Sequence, residues 1–588
     1  MASETRQCQN CRNSFAIEPD DFSFYEKIGV PPPTFCPECR MQRKFAFRNE
    51  RTLYRDACDL CKKQIISMYS PDKPFTVYCR ECWYGDGWDP LKFGREYDWN
   101  RPFFLQFREM QERVPRIALF SIRSEIGIDY ANFIIGCRNV YLSYSIVNSE
   151  SVYYSRSIDW SKESFDSLNC RELEMCYGNV DGARNYKSHH LVRSRDCIES
   201  RFLFDCVNCQ NCFMSTNLRN RQFVFRDKQY SKEEYQRKIR EINFGSNRVL
   251  NEIRKECFEL MSRALHKYAN IVKTTNSTGN NIENCKNVRQ CFDAYDAEDI
   301  KYSNRVTKGS KDVYDNIGVA SELLYEGIAG GFGSYGNNFF SFLEASQNIQ
   351  YSDWCQNSAS LFGCISLRKK QYCILNKQYA KEEYEPFVSK IIEHMNTMPY
   401  ISKVTNDKGQ ITRGTSYKYG EFFPTEFSPF AYNESLANEY FPLTKEEVEH
   451  EGYVWRDPDP YPHQATLQVN AIPDHIREVS NSILNEIIAC GSCKRSYRII
   501  KSELEFLRRE NLAIPRICQD CRYEERFNRR NPLKLWHRQC LCDYSIYPNT
   551  AKHSHHPEGR CPNEFETSYA LERPEVVYCE QCYQAEVV

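Results

Sequence analysis

Hydrophobic positions follow two different rhythms along this chain. From Cys137 to about Ile239, and again from Cys285 to about Ile392, apolar residues stand singly among polar ones. Asn139-Val140-Tyr141, Ser151-Val152-Tyr153, Asp196-Cys197-Ile198 and Gln210-Asn211-Cys212-Phe213 are such units, recurring in places every 11 to 14 residues. Units this short cannot bury a face alone, so they predict stacking in rungs: a β-solenoid-like region with Ser, Asn, Asp and Cys at its corners and interior. The two stretches match at an offset of 148 to 149, Cys137-Arg138-Asn139-Val140 with Cys285-Lys286-Asn287-Val288 and Lys228–Tyr235 with Lys377–Tyr384. Each copy ends in a charged amphipathic helix starting near Ser231 or Ala380. Ser231 is the expected N-cap, and the helix caps an otherwise open sheet edge.

Toward the chain ends the rhythm turns helical and cysteines set the frame. Phe22, Phe24, Tyr25 and Ile28 predict a short helix closed by Gly29 and Pro31-Pro32-Pro33, and Cys36 to Phe45 predicts a second that opens at a Cys-x-x-Cys pair. A knuckle followed by a helix-opening pair is the layout of a treble clef. Cys8, Cys11, Cys36, Cys39 and Cys58 return as Cys490, Cys493, Cys518, Cys521 and Cys540 at a constant offset of 482, with no gap. Two Cys-x-x-Cys turns close a tetrahedral all-thiolate zinc site. The expected ligands are Cys8, Cys11, Cys36 and Cys39, with Cys490, Cys493, Cys518 and Cys521 as their copies. Cys58, Cys61, Cys79 and Cys82 predict a second, ribbon-like site around the hairpin Ile65–Tyr69 and Phe75–Tyr78. Its copy uses Cys540, Cys542, Cys579 and Cys582. That copy departs from the pattern by reading Cys-x-Cys and by an insertion containing His553, His555, His556 and Cys561; Cys561 or a histidine could replace Cys542, or the insertion could hold a separate metal.

Composition narrows the setting. The 588 residues suggest about three to five domains. With 78 Lys and Arg against 79 Asp and Glu, no global basic field announces a nucleic-acid partner. Thirty cysteines without an apolar leader fit a reducing cytoplasm better than a disulfide framework. No apolar run is long enough to span a membrane.

Other motifs weigh less. Cys206, Cys209 and Cys212 invite a further metal site, but their counterparts Cys355, Ser358 and Leu361 keep one thiol, which favours small inward-facing residues. The glycines from Gly327 to Gly333 lack a strand-to-helix setting for phosphate and read as a solenoid corner or turn, and His189-His190 reads as surface rather than catalytic. The helices after each treble clef carry Arg40, Arg43, Lys44 and Arg48, and Arg522, Arg526, Arg529 and Arg530, with Phe45, Phe47, Tyr523 and Phe527 between them. They are candidate nucleic-acid contacts, their alternative being solvated helix faces.

At Cys8-x-x-Cys11, Phe15, Phe24-Tyr25, Pro33 and Cys36-Pro37-Glu38-Cys39-Arg40 the chain resembles the zinc-ribbon (treble-clef) family of large, uncharacterised bacterial proteins. The resemblance covers residues 1–60 and 488–542; it implies zinc and little about activity. The expected organisation is a double zinc module (1–98), a first β-solenoid copy with its capping helix (99–240), a helical linker (241–280), a second copy (281–400), a linker with a helix (401–487) and a second double zinc module (488–588). The expected function is a cytoplasmic zinc protein with about four structural ions, serving as a recognition or assembly scaffold for RNA, DNA, a ribonucleoprotein or a protein. The alternative is an enzyme whose site lies on the solenoid surface, acting for example on a polysaccharide. Oligomeric state is not legible.

Overall fold

Every third residue from Tyr130 to Arg226 holds a left-handed backbone, with φ between 43° and 70°. That conformation costs an ordinary L-residue roughly 1–2 kcal/mol and suits Asn and Asp best. Asn139, Asn148, Asp166, Asn169, Asp181, Asp196, Asp205, Asn208, Asn211, Asn217 and Asn220 occupy such positions. Each left-handed residue turns the chain, and four turns bring it back over itself. The parallel pairing accordingly advances by twelve residues: Tyr144 opposite Arg156 opposite Leu168, and Glu150 opposite Lys162 opposite Glu174. Two five-stranded parallel sheets result, and beyond Tyr177 the same register continues as single bridges such as Val180 to Val192 and Ile198 to Gln210. An antiparallel hairpin, Val224–Phe225 with Lys228–Gln229, closes the ladder.

Up to Met214 the residue after each left-handed turn points inward, and the enclosed space admits only small or slender side chains. Val140, Ser143, Ile146, Val152, Ile158, Ser164, Cys176, Ser188, Cys197 and Leu203 are all fully buried. An inward serine satisfies itself and its neighbour. Ser143 donates its hydroxyl to the Tyr141 carbonyl at 2.9 Å and accepts the Ser155 N–H at 3.0 Å; Ser155 does the same with Tyr153 (2.8 Å) and Ser167 (3.0 Å). Cysteine substitutes with longer bonds, Cys170 donating to the Leu168 carbonyl at 3.3 Å and accepting from Gly182 N–H at 3.3 Å. Cys206, Cys209 and Cys212 stand at inward positions and donate to the carbonyls two residues before them.

The computed structural model describes residues 2–588 except 125, 332, 406–410, 460–463 and 548. The chain divides into two compact units, each of two separated segments: Met1–Phe120 with Ile271–Asp457, and Ser121–Asn270 with Pro458–Val588. The ladder above belongs to the second unit. The first unit has its own, in which Phe292 pairs with Asn304 and Gln347 with Ala359 and then Gln371, again twelve apart. Steps of thirteen (Glu322 to Tyr335) and eleven (Lys311 to Glu322) interrupt it around the nine-residue strands Lys311–Val319, Glu322–Gly330 and Tyr335–Leu343. Gly327 sits inside a strand, where a Cβ would lie 2.1 Å from Phe340 Cζ. The glycines up to Gly330 therefore make room for a phenyl ring and are no phosphate loop. Phe332, within that run, lies outside the described residues.

Helices close the ladders as their caps foretell. Lys232–Glu241 starts at a reciprocal capping box, Glu234 N–H to Ser231 Oγ and Ser231 N–H to Glu234 carboxylate, each 3.2 Å. Lys381–Thr397 follows Ala380 with only the return bond from Glu383, 3.2 Å. In the first unit the helix Phe103–Arg113 lays Phe103 and Phe104 edge-on against Tyr351. In the second, Asn247–Arg263 buries Leu250, Ile253 and Cys257 on the last strands of the ladder. Among the described residues no helix is long and apolar enough to cross a membrane.

The inward hydroxyls generate a test. Ser155→Ala orphans the buried Ser167 N–H and is expected to destabilise the second unit by about 1–3 kcal/mol, whereas Ser155→Cys keeps donor and acceptor and should cost less. Thermal unfolding followed by circular dichroism distinguishes them; equal midpoints for the two variants would contradict the role given to the hydroxyl.

Candidate metal centres

Each cysteine knuckle is shaped by its own backbone. The residue after the second cysteine is left-handed in three of them, Arg12 (φ 64°), Lys62 (62°) and Lys494 (66°). This lets its N–H reach back to the first cysteine's carbonyl: Arg12 to Cys8 at 3.1 Å, Lys62 to Cys58 at 2.8 Å, Lys494 to Cys490 at 3.2 Å. The second half of each group is a helix start. Cys36, Cys79, Cys518 and Cys579 are the N-caps of Pro37–Ala46, Arg80–Tyr84, Gln519–Phe527 and Glu580–Val587. The helix-opening reading thus extends to the ribbon-like sites, where the spacing alone indicated only a hairpin. N-terminal amides meet the sulfurs directly: Cys79 N–H to Cys58 Sγ, Cys518 N–H to Cys490 Sγ and Cys579 N–H to Cys540 Sγ, each 3.2 Å. Such donors favour thiolate. Against burial, which raises them, the knuckle amides bring Cys58 and Cys490 each down to about 7.

Four groups of four cysteines result, each with its sulfurs within 4.8 Å of one another: Cys8, Cys11, Cys36, Cys39; Cys58, Cys61, Cys79, Cys82; Cys490, Cys493, Cys518, Cys521; and Cys540, Cys561, Cys579, Cys582. Individual separations are 3.7 Å (Cys11 to Cys36), 3.9 Å (Cys61 to Cys79), 3.6 Å (Cys493 to Cys518) and 3.9 Å (Cys561 to Cys579). A tetrahedron with Zn–S bonds of 2.3 Å has edges of about 3.8 Å, whereas a disulfide would need about 2.05 Å. The donors fit zinc, and no position is left over for a substrate. The groups are compatible with zinc-ribbon-like modules.

In the fourth group the structure places Cys561, not Cys542, at the remaining corner. Cys540 N–H bonds the Asn563 carbonyl at 2.8 Å just as Cys58 N–H bonds that of Lys63 at 2.9 Å, and the strand pair Trp536–Gln539 with Glu564–Thr567 repeats Tyr54–Ala57 with Gln64–Ser67. Cys561 therefore stands where Cys61 stands, and Cys542 lies beside it with His553 and His556. The signal was in the numbering: Cys61, Cys79 and Cys82 recur at an offset of 500, after an insertion that shifts it from 482.

The basic helices do not face solvent. Arg40, Arg43 and Lys44 are 1%, 2% and 0% exposed, and Arg522 and Arg526 are 6% and 4%. In the first unit Arg40 Nε donates to Asp315 at 2.9 Å and Lys44 Nζ to Glu326 at 3.1 Å, while Arg43 lies over the Phe35 ring at 3.9 Å and donates to the Phe422 carbonyl at 2.9 Å. In the second, Arg522 donates to Asp166 (2.6 Å) and Glu503 (2.8 Å), and Arg526 to Asp166 (2.7 Å). Arg48 pairs with Glu50 at 2.7 Å and Arg530 with Asp181 at 2.8 Å; Arg529 is half-buried. The expectation that these cations contact phosphate is corrected for the buried ones: Arg40, Lys44, Arg522, Arg526 and Arg530 meet ladder carboxylates, and Arg43 and Arg48 are taken up by Phe35, the Phe422 carbonyl and Glu50.

The same set of contacts occurs in both units. Asp21 accepts from Tyr302 Oη and Glu503 from Tyr154 Oη, each at 2.9 Å; Phe24 stacks on Tyr314 at 3.9 Å and Phe506 on Phe165 at 4.2 Å. Two cations and two carboxylates balance at each core. Burial by itself lowers Arg40, but the Asp315 carboxylate outweighs it and the guanidinium is held well above its ordinary value; burial raises Glu326 and Glu503 despite their cationic neighbours. His189 is buried against Glu510 at 3.3 Å and burial pushes it down to about 4, while His190 stacks on Phe202 at 4.7 Å. No protein-family model matches the chain, and no curated protein matches it.

Removing one member of a buried neutral quartet leaves a charge without its partner. Arg40→Met is expected to destabilise the first unit by about 3–5 kcal/mol, and Arg40→Met with Asp315→Asn to recover much of that loss. Denaturant midpoints would show it; a double variant no more stable than the single one would contradict the pairing.

Proposed function

We propose that the chain is a zinc-stapled scaffold, two tandem β-solenoids each clamped by a double zinc module, whose work is recognition or assembly of protein partners. The twelve-residue register and the left-handed residue at every third position support the solenoid reading. The observation that carries the proposal is a buried charge cluster in each unit, Arg40–Asp315 and Lys44–Glu326 in one, Arg522–Asp166–Arg526 and Glu503 in the other, with Arg40–Asp315 recurring as Arg522–Asp166. It uses up the cations that would otherwise serve nucleic acid and turns each metal-held helix into a fastener for its own ladder. A stack with so slender an interior buries little apolar volume per residue, and closed structural zinc sites contribute folding free energy that such a stack lacks.

What remains for partners is the outer surface of the ladders. There, polar corner residues align in columns: Asn281 with Asp293 at 2.9 Å, Asn287 with Asp299 at 2.8 Å, and Asn208 with Asn220 at 2.7 Å. Repetition along an extended surface is how stacked-repeat proteins recognise other proteins. Thirty reduced cysteines agree with a cytoplasmic setting.

Metal analysis of the purified protein with stepwise chelation provides the test. At least four zinc ions per chain are expected, and their removal should abolish cooperative thermal unfolding of both units. Fewer than four ions, or unchanged unfolding after chelation, would overturn the stapling role. Binding of mixed nucleic acid that weakens steeply with salt would favour a nucleic-acid partner over a protein one.

A further inference from the structure

Between Cys540 and Cys561 lie 20 residues where two lie between Cys58 and Cys61, so the C-terminal module carries an insertion of 18 residues that the N-terminal module lacks. The insertion folds back onto the metal group. Cys542, His553 and His556 are buried, and with Cys582 their ligand atoms all fall within 4.8 Å of one another. Cys542 Sγ is 3.4 Å from His553 Nδ1, His553 Nδ1 is 3.2 Å from His556 Nε2, and His556 Nε2 is 3.1 Å from Cys582 Sγ. With Zn–N bonds of 2.0–2.1 Å and Zn–S bonds of 2.3 Å, tetrahedral edges are about 3.3 Å between nitrogens and about 3.5 Å between nitrogen and sulfur. The observed edges lie within a few tenths of an ångström of those values.

The surrounding residues hold these atoms as ligands. Glu586, from the last helix, accepts from His553 Nε2 at 2.9 Å, from Thr550 N–H at 2.8 Å and from Ala551 N–H at 3.2 Å. One carboxylate thus anchors the inserted loop and fixes the His553 tautomer, placing the proton on Nε2 and the lone pair on Nδ1, toward Cys542 and His556. Asn549 accepts from Tyr578 Oη at 2.8 Å, which directs its amide N–H toward Cys542 Sγ at 3.2 Å. His556 Nδ1 has no hydrogen-bond partner among the described residues, whereas Nε2 faces Cys582 and His553. His555 differs. It is half-buried, and its Nε2 lies over the edge between Cys561 (3.5 Å) and Cys582 (3.3 Å), outside the proposed ligand set.

We propose that this cluster is a fifth zinc site, with Cys542, His553, His556 and Cys582 as ligands, and that the Cys582 thiolate bridges it to the ion held by Cys540, Cys561 and Cys579. Cys582 belongs to both groups, so no rearrangement is needed to share it. Charge favours sharing: four thiolates around one Zn²⁺ leave two negative charges, and adding a second Zn²⁺ with the Cys542 thiolate leaves one. The centre rests on the zinc-scaffold reading above and makes its two modules unequal, one with two separate ions and the other with a separate ion and a bridged pair.

The as-isolated full-length protein should contain five zinc ions, and His553→Ala/His556→Ala should contain four while keeping its thermal unfolding cooperative. The unaltered chain loaded with ¹¹³Cd should show five resonances, two of which, one from an all-sulfur site and one from the mixed nitrogen–sulfur site, are split by mutual coupling through the shared thiolate. Four ions in both proteins, or cadmium resonances without that splitting, would overturn the bridged site and leave the four-zinc scaffold standing. Fewer than four in the unaltered chain would overturn both. Should the double variant fail to fold, the cadmium spectrum of the unaltered chain decides.

Discussion

A backbone that turns left-handed at every third residue dictates most of what else this protein must contain. Four turns per circuit enclose a space too narrow for a conventional core, which is why the interior is built of Val, Ile, Ser, Cys and Asn and why its hydroxyls and thiols bond the chain above and below. Such a core supplies direction and hydrogen bonds but modest apolar burial. Stability has to come from the side. It comes from aromatic stacking of Phe24 on Tyr314 and Phe506 on Phe165, from buried charge clusters, and from helices that begin at the four-cysteine groups.

The metal frame could be read from the sequence because thiolate coordination constrains spacing tightly, and copies of it can be compared position by position. The identity of the fourth ligand in the last group escaped because Cys542 is near in number while Cys561 is near in space; only a hairpin with an 18-residue loop reconciles them. Stacked short units were legible, but the period of three was not. Left-handed positions hold Trp160, Phe202, Tyr154 and Glu163 as well as Asn and Asp, so the compositional signal is diluted by side chains whose outward surroundings decide their identity. The basic helices show a different limit. Spacing states which side chains share a face; it does not state that the face meets Asp315 or Asp166, more than 270 residues away.

Those two contacts also show how the chain is partitioned. The N-terminal module joins the later ladder, and the C-terminal module joins the earlier one, so each unit is completed by segments far apart in sequence. Residues matching in the two modules, Arg40 and Arg522, Asp21 and Glu503, Phe24 and Phe506, meet matching residues in the two ladders. The correspondence extends from the cysteines to the buried partners, which makes module and ladder a single folding design used twice, and the inserted histidines mark where the two uses diverge.

Synthesis from the N-terminus makes the two equivalent interfaces form in opposite ways. The second module emerges to find the carboxylates of Asp166 already assembled in a finished ladder. The first emerges with Arg40 and Lys44 unpartnered, and Asp315 follows Arg40 only 275 residues later, about 15–55 s at 5–20 residues per second. For that interval Arg40 and Lys44 lack the carboxylates of Asp315 and Glu326 that neutralise them in the finished protein.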